Sequence, residues 1–356
     1  MDTVSNPECV TSGKIELKRQ GLLLKKTKLL FEDEGVLNPA VYQEGQFVHM
    51  FYRAVRTGNY STIGYCLFDG PLNLIKRHEE PLLFPEFDYE SHGVEDARIV
   101  KIEDTFYLTY SAFDGVNAMG CLATSQDMKT FKKLGIIVPV FTFQEFRRLA
   151  ECHNKLNDKY ARYAHNTLLE KDGKKVLLWD KNLIFFPRKI NGKFVFLHRI
   201  RPDIQLVKVE NLSDLNDEFW ILYFIDFEKH ILLRPACDHE ISYIGGGCPP
   251  IETKEGWLLI YHGVHDTAEG YVYTACAALL DLDDPMKVIG RLPYPILSPE
   301  KNWETVGFVN NVVFPTGTAI FDNILYIYYG AADEQIACAS VPMDDLIAEL
   351  LAHPEK

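Results

Sequence analysis

Apolar and polar residues alternate in short runs along most of the chain, as in residues 47–52, 105–110, 257–261 and 324–329. Val, Ile, Phe and Tyr at a period of two, broken by Gly, Asn and Asp, predict strands joined by tight turns. Five stretches share one layout: residues 38–53, 95–111, 185–199, 247–262 and 310–330. Each has a small or acidic cluster, an apolar strand, a Gly- or Asp-centred turn, and a second strand that runs into a polar residue. Repeated β units at a loose, wide period predict an all-β fold, a five-bladed β-propeller. More polar runs at 15–19 and 286–290 are expected to be outer strands. No Pro/Gly/Ser linker divides the chain, so residues 1–356 are expected to form a single propeller domain.

Two segments change period. In residues 143–169, Phe146, Leu149, Leu156, Tyr160 and Tyr163 recur at helical spacing. This predicts an inserted helical segment between the second and third blades, either docked on the surface or serving as a lid or oligomer contact. Residues 343–351 predict a short amphipathic C-terminal helix.

With 356 residues, 47% hydrophobic and 12% aromatic, the chain can bury a core throughout. No run of 18 apolar residues predicts a membrane span. The first residues lack the basic and apolar regions of a secretory signal, so the expected location is cytoplasmic, or periplasmic if a leader has been removed. A net charge of −13 argues against nucleic acid, which is bound through Lys and Arg on phosphates, and is indifferent to a neutral sugar. The eight cysteines form no Cys-x-x-Cys pair and no zinc-ligand spacing with His. They are expected to be mostly buried, reduced thiols. No metal and no cofactor is implied.

The clearest chemical cluster is His92-Gly-Val-Glu-Asp-Ala-Arg-Ile99. Alternation sets Asp96 and Arg98 on one face of a strand and Glu95 on the other. A carboxylate beside a guanidinium is normally held ionised, so an acid here needs burial or a second carboxylate. Polar residues also stand at equivalent blade positions: Asn38 and Arg53, then Lys181, His198 and Arg199, then Tyr243, His262 and His265, then Asp333. Any one could be an ordinary strand end, but blades that end alike would gather these groups around an axial pocket. The turn Tyr243-Ile-Gly-Gly-Gly-Cys-Pro-Pro250 lacks a Gly-Lys-Ser/Thr and a following helix, so it is no nucleotide loop. Its glycines suit close backbone approach to the axis.

Together these segments resemble glycoside hydrolase family 130, the β-mannoside phosphorylases and mannosidases. The resemblance rests on Gly93-Val-Glu-Asp-Ala-Arg-Ile99, Phe186-Pro-Arg-Lys-Ile-Asn-Gly-Lys193, Leu197-His-Arg199, Gly256-Trp-Leu-Leu-Ile-Tyr-His-Gly-Val264, Gly270-Tyr-Val-Tyr273, Ala278-Leu-Leu-Asp-Leu-Asp-Asp-Pro285 and Tyr329-Gly-Ala-Ala-Asp333. It covers residues from about 35 to 335 and implies a five-bladed propeller. It also implies that Asp96 is the catalytic acid of an inverting reaction, its proton passing through a hydroxyl of the bound mannose. Asn38, Arg53, Glu95, Arg98 and Asp333 would hold the sugar. Inorganic phosphate replaces water in the family's phosphorylases, and the set that would hold it falls here on Lys181, Asn182, Arg199, His262 and Tyr271 or Tyr273.

One departure bears on the reaction. Phosphorylases often carry Lys before the Ile-Gly-x-Gly turn, where this chain has Tyr243. Glu240 and Glu269 lie close by in sequence, and carboxylates near the site disfavour a phosphate dianion and could activate water instead. The reading that follows is an inverting β-mannosidase, with Asp96 as acid and Glu240 or Glu269 as base, acting on β-mannosides that include β-1,2 linkages. The alternative is a β-mannoside phosphorylase that releases mannose 1-phosphate, with inorganic phosphate as co-substrate. A third reading is a non-catalytic sugar-binding propeller. The expected partner is a β-mannoside oligosaccharide; a homo-oligomer is left open.

Overall fold

The computed structural model describes residues 14–15, 17–163, 170–171 and 173–355. The protein is built mostly of antiparallel strands, in five successive units. The first comprises Gly35–Glu44, Phe47–Arg56, Tyr60–Asp69 and Asn73–Arg77. The second comprises Gly93–Ile102, Thr105–Phe113, Ala118–Ser125 and Lys132–Ile136. One parallel bridge from Ser61 to Gly93 joins these two. The third unit holds Lys181–Phe185, Phe194–Arg199, Ile204–Val209 and Ile231–Leu233. The fourth holds Tyr243–Gly246, Trp257–Thr267, Gly270–Leu280 and Val288–Arg291. The fifth takes Val313–Phe321, Ile324–Ala331 and Gln335–Pro342, and its outer strand is the N-terminal Lys18–Leu24, antiparallel to Gln335–Pro342.

Alternation along each strand sends successive side chains to opposite faces, and here both faces are covered. Phe51 joins a core between the first and second units, while its neighbours Met50 and Tyr52 join one between the fifth and the first. Three further cores lie between the second and third, third and fourth, and fourth and fifth units. Hydrophobic burial therefore binds every unit to the next and the last to the first.

Four units repeat one buried polar device. Glu32, Glu90, Glu240 and Glu304 are fully buried, each just ahead of its unit's first strand. Each carboxylate accepts the phenol of a second-strand tyrosine: Tyr52 at 2.7 Å, Tyr110 at 2.7 Å, Tyr261 at 2.6 Å and Tyr329 at 2.7 Å. Each also takes a cation from the fourth strand: Arg77, Lys133, Arg291 and Arg19. Gly64, Cys121, Cys276 and Ala337 stand opposite these tyrosines on the third strand. At Gly64 a Cβ would fall 2.4 Å from the Tyr52 ring, so the glycine there makes room for the tyrosine. In the third unit Asp180 and Tyr223 flank His198 instead, at 2.7 and 2.8 Å.

The helical insertion is docked. Thr142 and Glu145 form a capping box that starts a helix at Phe143–Ala150. Phe146 packs against Tyr160, Phe224 and Phe227. A second turn follows at Lys159–Tyr163, and the predicted continuation over 164–169 lies outside the described residues. The C-terminal helix, Met343–Ala352, sits as expected. A further helix, Asp217–Ile225, was not expected. Asn216 caps it, and Trp220, Tyr223 and Phe224 are buried against the insertion. The third and fourth repeats also begin earlier than the sequence marks suggest, at Lys181 and Tyr243. The seven described cysteines are free thiols, five of them buried.

Removing one member of a buried ion pair strands the other, at a cost of about 3–5 kcal/mol. Glu240→Gln is expected to lower the unfolding free energy by that amount in urea melts. A loss under about 1 kcal/mol would refute the structural role given to this carboxylate.

Candidate functional site

Three inner strands are interrupted at the same place. Their register slips between Leu37 and Ala40, Glu95 and Arg98, and Lys181 and Ile184. Inside each slip lies an Asn or Asp with left-handed backbone: Asn38 (φ 50°), Asp96 (φ 52°) and Asn182 (φ 54°). These residue types tolerate that region better than other side chains do. A bulge of this kind re-aims a side chain, and all three line one cavity of about 160 Å³. Arg53, Lys181, Arg199, Arg201, Tyr243, Tyr273, Val312, Phe314 and Asp333 complete its wall.

Asp96 accepts a hydrogen bond from Asn38 Nδ2 at 2.7 Å and faces Arg53 at 3.6 Å. Burial pushes its carboxyl up, but Arg53, Lys181, the Asn38 hydrogen bond and Arg98 together outweigh burial and hold it below the usual range. Glu95, directly behind, takes Arg53 at 2.8 Å and Lys181 at 3.2 Å. Asp333 also has left-handed backbone (φ 51°). Burial raises it to about 6, with Asp96 adding to the rise and Arg53 opposing it. Two carboxyls thus face one cavity in opposite states, Asp96 ionised and Asp333 prone to hold a proton.

The opposite wall is cationic. Arg199 is buried and donates to His262 Nε2 at 3.2 Å. Burial, then Arg201, pulls its guanidinium down to about 10, and its Nε has no protein partner. Burial and the neighbouring arginines keep His262 neutral. Arg201 lies 4.5 Å over the Tyr243 ring and Arg199 5.4 Å over it. The Tyr243 and Tyr273 phenols meet at 2.5 Å. Tyr163, from the insertion, donates to Ser242 O at 2.6 Å and packs edge-on against Tyr243, so the insertion forms part of the rim. Among the described residues, neither Arg199 nor Arg201 has a carboxylate within ion-pair distance. The two guanidiniums enter the cavity without an ion-pair partner among these residues.

The structure brings most of the expected set together: Asn38, Arg53, Asp96, Lys181, Asn182, Arg199, Tyr243, Tyr273 and Asp333 line the cavity, and His262 and Glu95 back it. Of the two phenols that the sequence left open, Tyr273 lines the cavity, while Tyr271 is 39% exposed. Other expectations are corrected. Glu240 is sealed between Tyr261, Arg291 and the N–H groups of Ala236 and Cys237, so no lone pair is free for water. Glu269 is exposed at the tip of the Trp257–Thr267 hairpin and does not line the cavity. Arg98 is a buried clamp on the carbonyls of Gly247, Asp96 and Ala97. His198 is enclosed by Asp180 and Tyr223. Cys237, His239 and Glu240 come within metal-ligand range of one another, but Glu240 is already committed to Arg291. Sequence reasoning missed Arg201. Arg201 lies in the turn just past the Phe194–Arg199 strand, where strand alternation gives no signal.

Two buried carboxyls in opposite states, set with a cluster of cations around one pocket, mark a candidate catalytic site. Comparison with known proteins gives the particular family. The family model described as beta-1,4-mannooligosaccharide phosphorylase matches residues 31–351. The 1,2-beta-oligomannan phosphorylase of Thermoanaerobacter sp. (strain X514) is 33% identical over 345 residues, 93% of this chain and 99% of that protein. The beta-1,2-mannobiose phosphorylase of the same strain is 34% identical over 327 residues, 87% and 91% of the two chains. The beta-1,2-mannobiose phosphorylase of Listeria innocua, solved with beta-1,2-mannobiose, shares the fold at a TM-score of 0.70 and 24% identity, over 95% of this chain and 99% of that one. The chain belongs to glycoside hydrolase family 130 and is an enzyme, a glycoside phosphorylase or glycosidase.

The raised Asp333 gives a stability signature. The unfolded carboxyl titrates near 3.8 and the folded one near 6. Between these values the native state keeps a proton that the unfolded chain has lost, so stability falls as pH rises through the window and stays lower above it. Asn cannot ionise. Asp333→Asn is expected to raise the unfolding free energy of the unliganded protein above pH 6 relative to its effect below pH 4, by about 3 kcal/mol in urea titrations. Equal effects at both ends would show that this carboxyl is not raised.

Proposed function

We propose that the protein is an inverting β-mannoside phosphorylase, which converts a β-mannoside and inorganic phosphate to mannose 1-phosphate and a shortened acceptor. The mannosidase reading rested on the missing Lys at 243 and on Glu240 and Glu269 as bases. Neither carboxylate reaches the cavity, and Arg201 supplies charge beside Tyr243. The observation that carries the proposal is the pair of unpaired guanidiniums, Arg199 and Arg201, next to Lys181. Their charge matches a phosphate dianion and would hold a neutral water no better than any polar wall. The phosphorylase names of the relatives support the same choice, and the two from Thermoanaerobacter favour β-1,2-linked mannosides. We also infer that the five units are blades of a propeller, supported by five cores that run from unit to unit and back to the first.

Mannose would sit between Asp96, Asn38, Arg53 and Asp333. Phosphate on Lys181, Arg199 and Arg201, with the Tyr273 phenol, would attack the anomeric carbon. Asp96 would deliver the proton that the departing oxygen needs, and no protein base is required because phosphate is itself the nucleophile. Asp96 is ionised in the free site, and an acid must be protonated. Of the cations that hold Asp96 down, Lys181 is shared with the proposed phosphate site, so bound phosphate would oppose its pull and favour the protonated acid.

With β-1,2-mannobiose, mannose 1-phosphate is expected only when inorganic phosphate is present. Free mannose produced at the same rate without phosphate would restore the hydrolase reading. Asp96→Asn is expected to abolish turnover with the fold intact by circular dichroism. In steady-state kinetics, Arg201→Ala is expected to raise the KM for phosphate about tenfold or more, with a smaller change for the mannoside. A larger effect on the mannoside would remove Arg201 from the phosphate site.

A further inference from the structure

Arg201 lines the central cavity and has no ion-pair partner among the described residues. It lies in the turn past the Phe194–Arg199 strand, beside Arg199, whose guanidinium burial and then Arg201 pull down. Two like charges side by side push apart, most strongly where water is scarce. A turn residue under that push stays at the cavity only where something other than a counter-charge holds it. Here the hold is aromatic. The Arg201 guanidinium lies 4.5 Å from the centre of the Tyr243 ring and 6.0 Å from that of the Tyr163 ring. The two rings meet at 77°, with centres 5.5 Å apart, and so form a corner around the cation. Ring faces attract a guanidinium without adding a charge of their own.

Tyr243 belongs to the cavity wall; Tyr163 stands behind it, in the inserted helical turn Lys159–Tyr163. Tyr160 and Tyr163 are three apart on that turn and share one face. Tyr160 is buried against Phe146 and Phe227 and donates to Asp203 at 2.5 Å, two residues past Arg201. Tyr163 donates to Ser242 O at 2.6 Å, one residue before Tyr243. Arg162 adds an ion pair to Asp266 at 3.0 Å, and Ser242 Oγ donates to the same carboxylate. The Gln205 amide pins the turn as well, accepting from Ile200 N at 2.7 Å and donating to Ile200 O at 2.9 Å. One helical turn therefore bridges the two segments that carry Arg201 and Tyr243, and it fixes how far apart they stand.

We infer that Tyr163 is a positioning residue for phosphate: its ring closes the corner that keeps Arg201 at the cavity, and it does so without touching the anion. The inference rests on the proposed phosphorolysis. Within that reading a loosened Arg201 costs phosphate affinity, while the mannose between Asp96, Asn38, Arg53 and Asp333 is held as before.

The test is steady-state phosphorolysis of β-1,2-mannobiose with phosphate varied. Tyr163→Ala is expected to raise the KM for phosphate about fivefold, with less than about a twofold change in kcat and in the KM for mannobiose. Tyr163→Phe keeps the ring and is expected to stay within about twofold of the wild type in all three constants. In an Arg201→Ala background, Tyr163→Ala is expected to add nothing further to the phosphate KM, because the residue it positions is gone. A packing role would instead multiply with Arg201→Ala, or would weaken both substrates alike. Either result, an unchanged phosphate KM in Tyr163→Ala, or a Tyr163→Phe as impaired as Tyr163→Ala, would overturn the assignment. Wild-type protein that turns over equally without phosphate would refute the phosphorylase reading and this inference with it. The two failures are distinguishable, since the first leaves phosphate-dependent turnover intact.

Discussion

The structure depends on how four buried carboxylates are neutralised. An unpaired carboxylate in a dry interior costs many kcal/mol and would rather protonate. Here each one is matched by a tyrosine from the second strand and a cation from the fourth. The triad therefore ties the lead-in of a unit to its second and outer strands at once. In the fifth unit that cation is Arg19, so the N-terminal strand is recruited by charge as well as by its ladder. The third unit solves the same problem with Asp180 and His198. These two immediately precede Lys181 and Arg199, which pair in register across the first two strands. The polar pair behind these strands thus fixes the two cations in front of them.

Given this frame, the site follows from a small backbone irregularity. Regular alternation would send every other residue of an inner strand into a core. A slip at Asn38, Asp96 and Asn182 releases one side chain per strand toward the centre. Asn and Asp suit the left-handed turn, and they are also polar, so one choice of residue serves the backbone and the chemistry together. The cations then accumulate on one wall because Lys181, Arg199 and Arg201 come from the adjacent ends of a single strand pair. Glu95 neutralises Arg53 and Lys181 but does not reach the two arginines beyond. The uneven charge of the pocket is thus a consequence of topology.

Much of this was legible in the sequence. Period-two alternation found the strands, and the shared layout found all five units. The sequence also pointed to much of the cavity wall: Asn38, Arg53, Lys181, Arg199, Tyr243 and Asp333 stand at equivalent strand positions, Asp96 lies in its own cluster, and Asn182 and Tyr273 came with the family resemblance, whereas Arg201, Val312 and Phe314 were missed. Burial was not legible. Glu240 and Glu269 read alike as carboxylates near a Gly-rich turn, yet one is locked in a triad and the other projects from a hairpin tip. The distinguishing signal was the spacing, since Glu90 and Glu240 each stand three residues before a first strand and follow an Asp two earlier. Asp217–Ile225 was missed for the opposite reason. A helix apolar on all sides has no amphipathic period to detect.

The choice between water and phosphate turns on charge balance. Loss of one Lys at 243 suggested a weakened anion site, an inference that treats the position in isolation. In the fold, the Tyr243 ring lies beneath Arg199 and Arg201, and a cation at 243 would stand among three others. A ring at that place accepts the guanidinium faces and spaces them without adding repulsion. The departure that argued for hydrolysis is therefore compatible with a stronger arginine pair. Asp96 is ionised at rest for a different reason: Arg53, Lys181, the Asn38 hydrogen bond and Arg98 outweigh its burial, and of these cations Lys181 also belongs to the cationic wall. In the proposed phosphorolysis a dianion beside Lys181 would oppose part of that pull, which a neutral water would not.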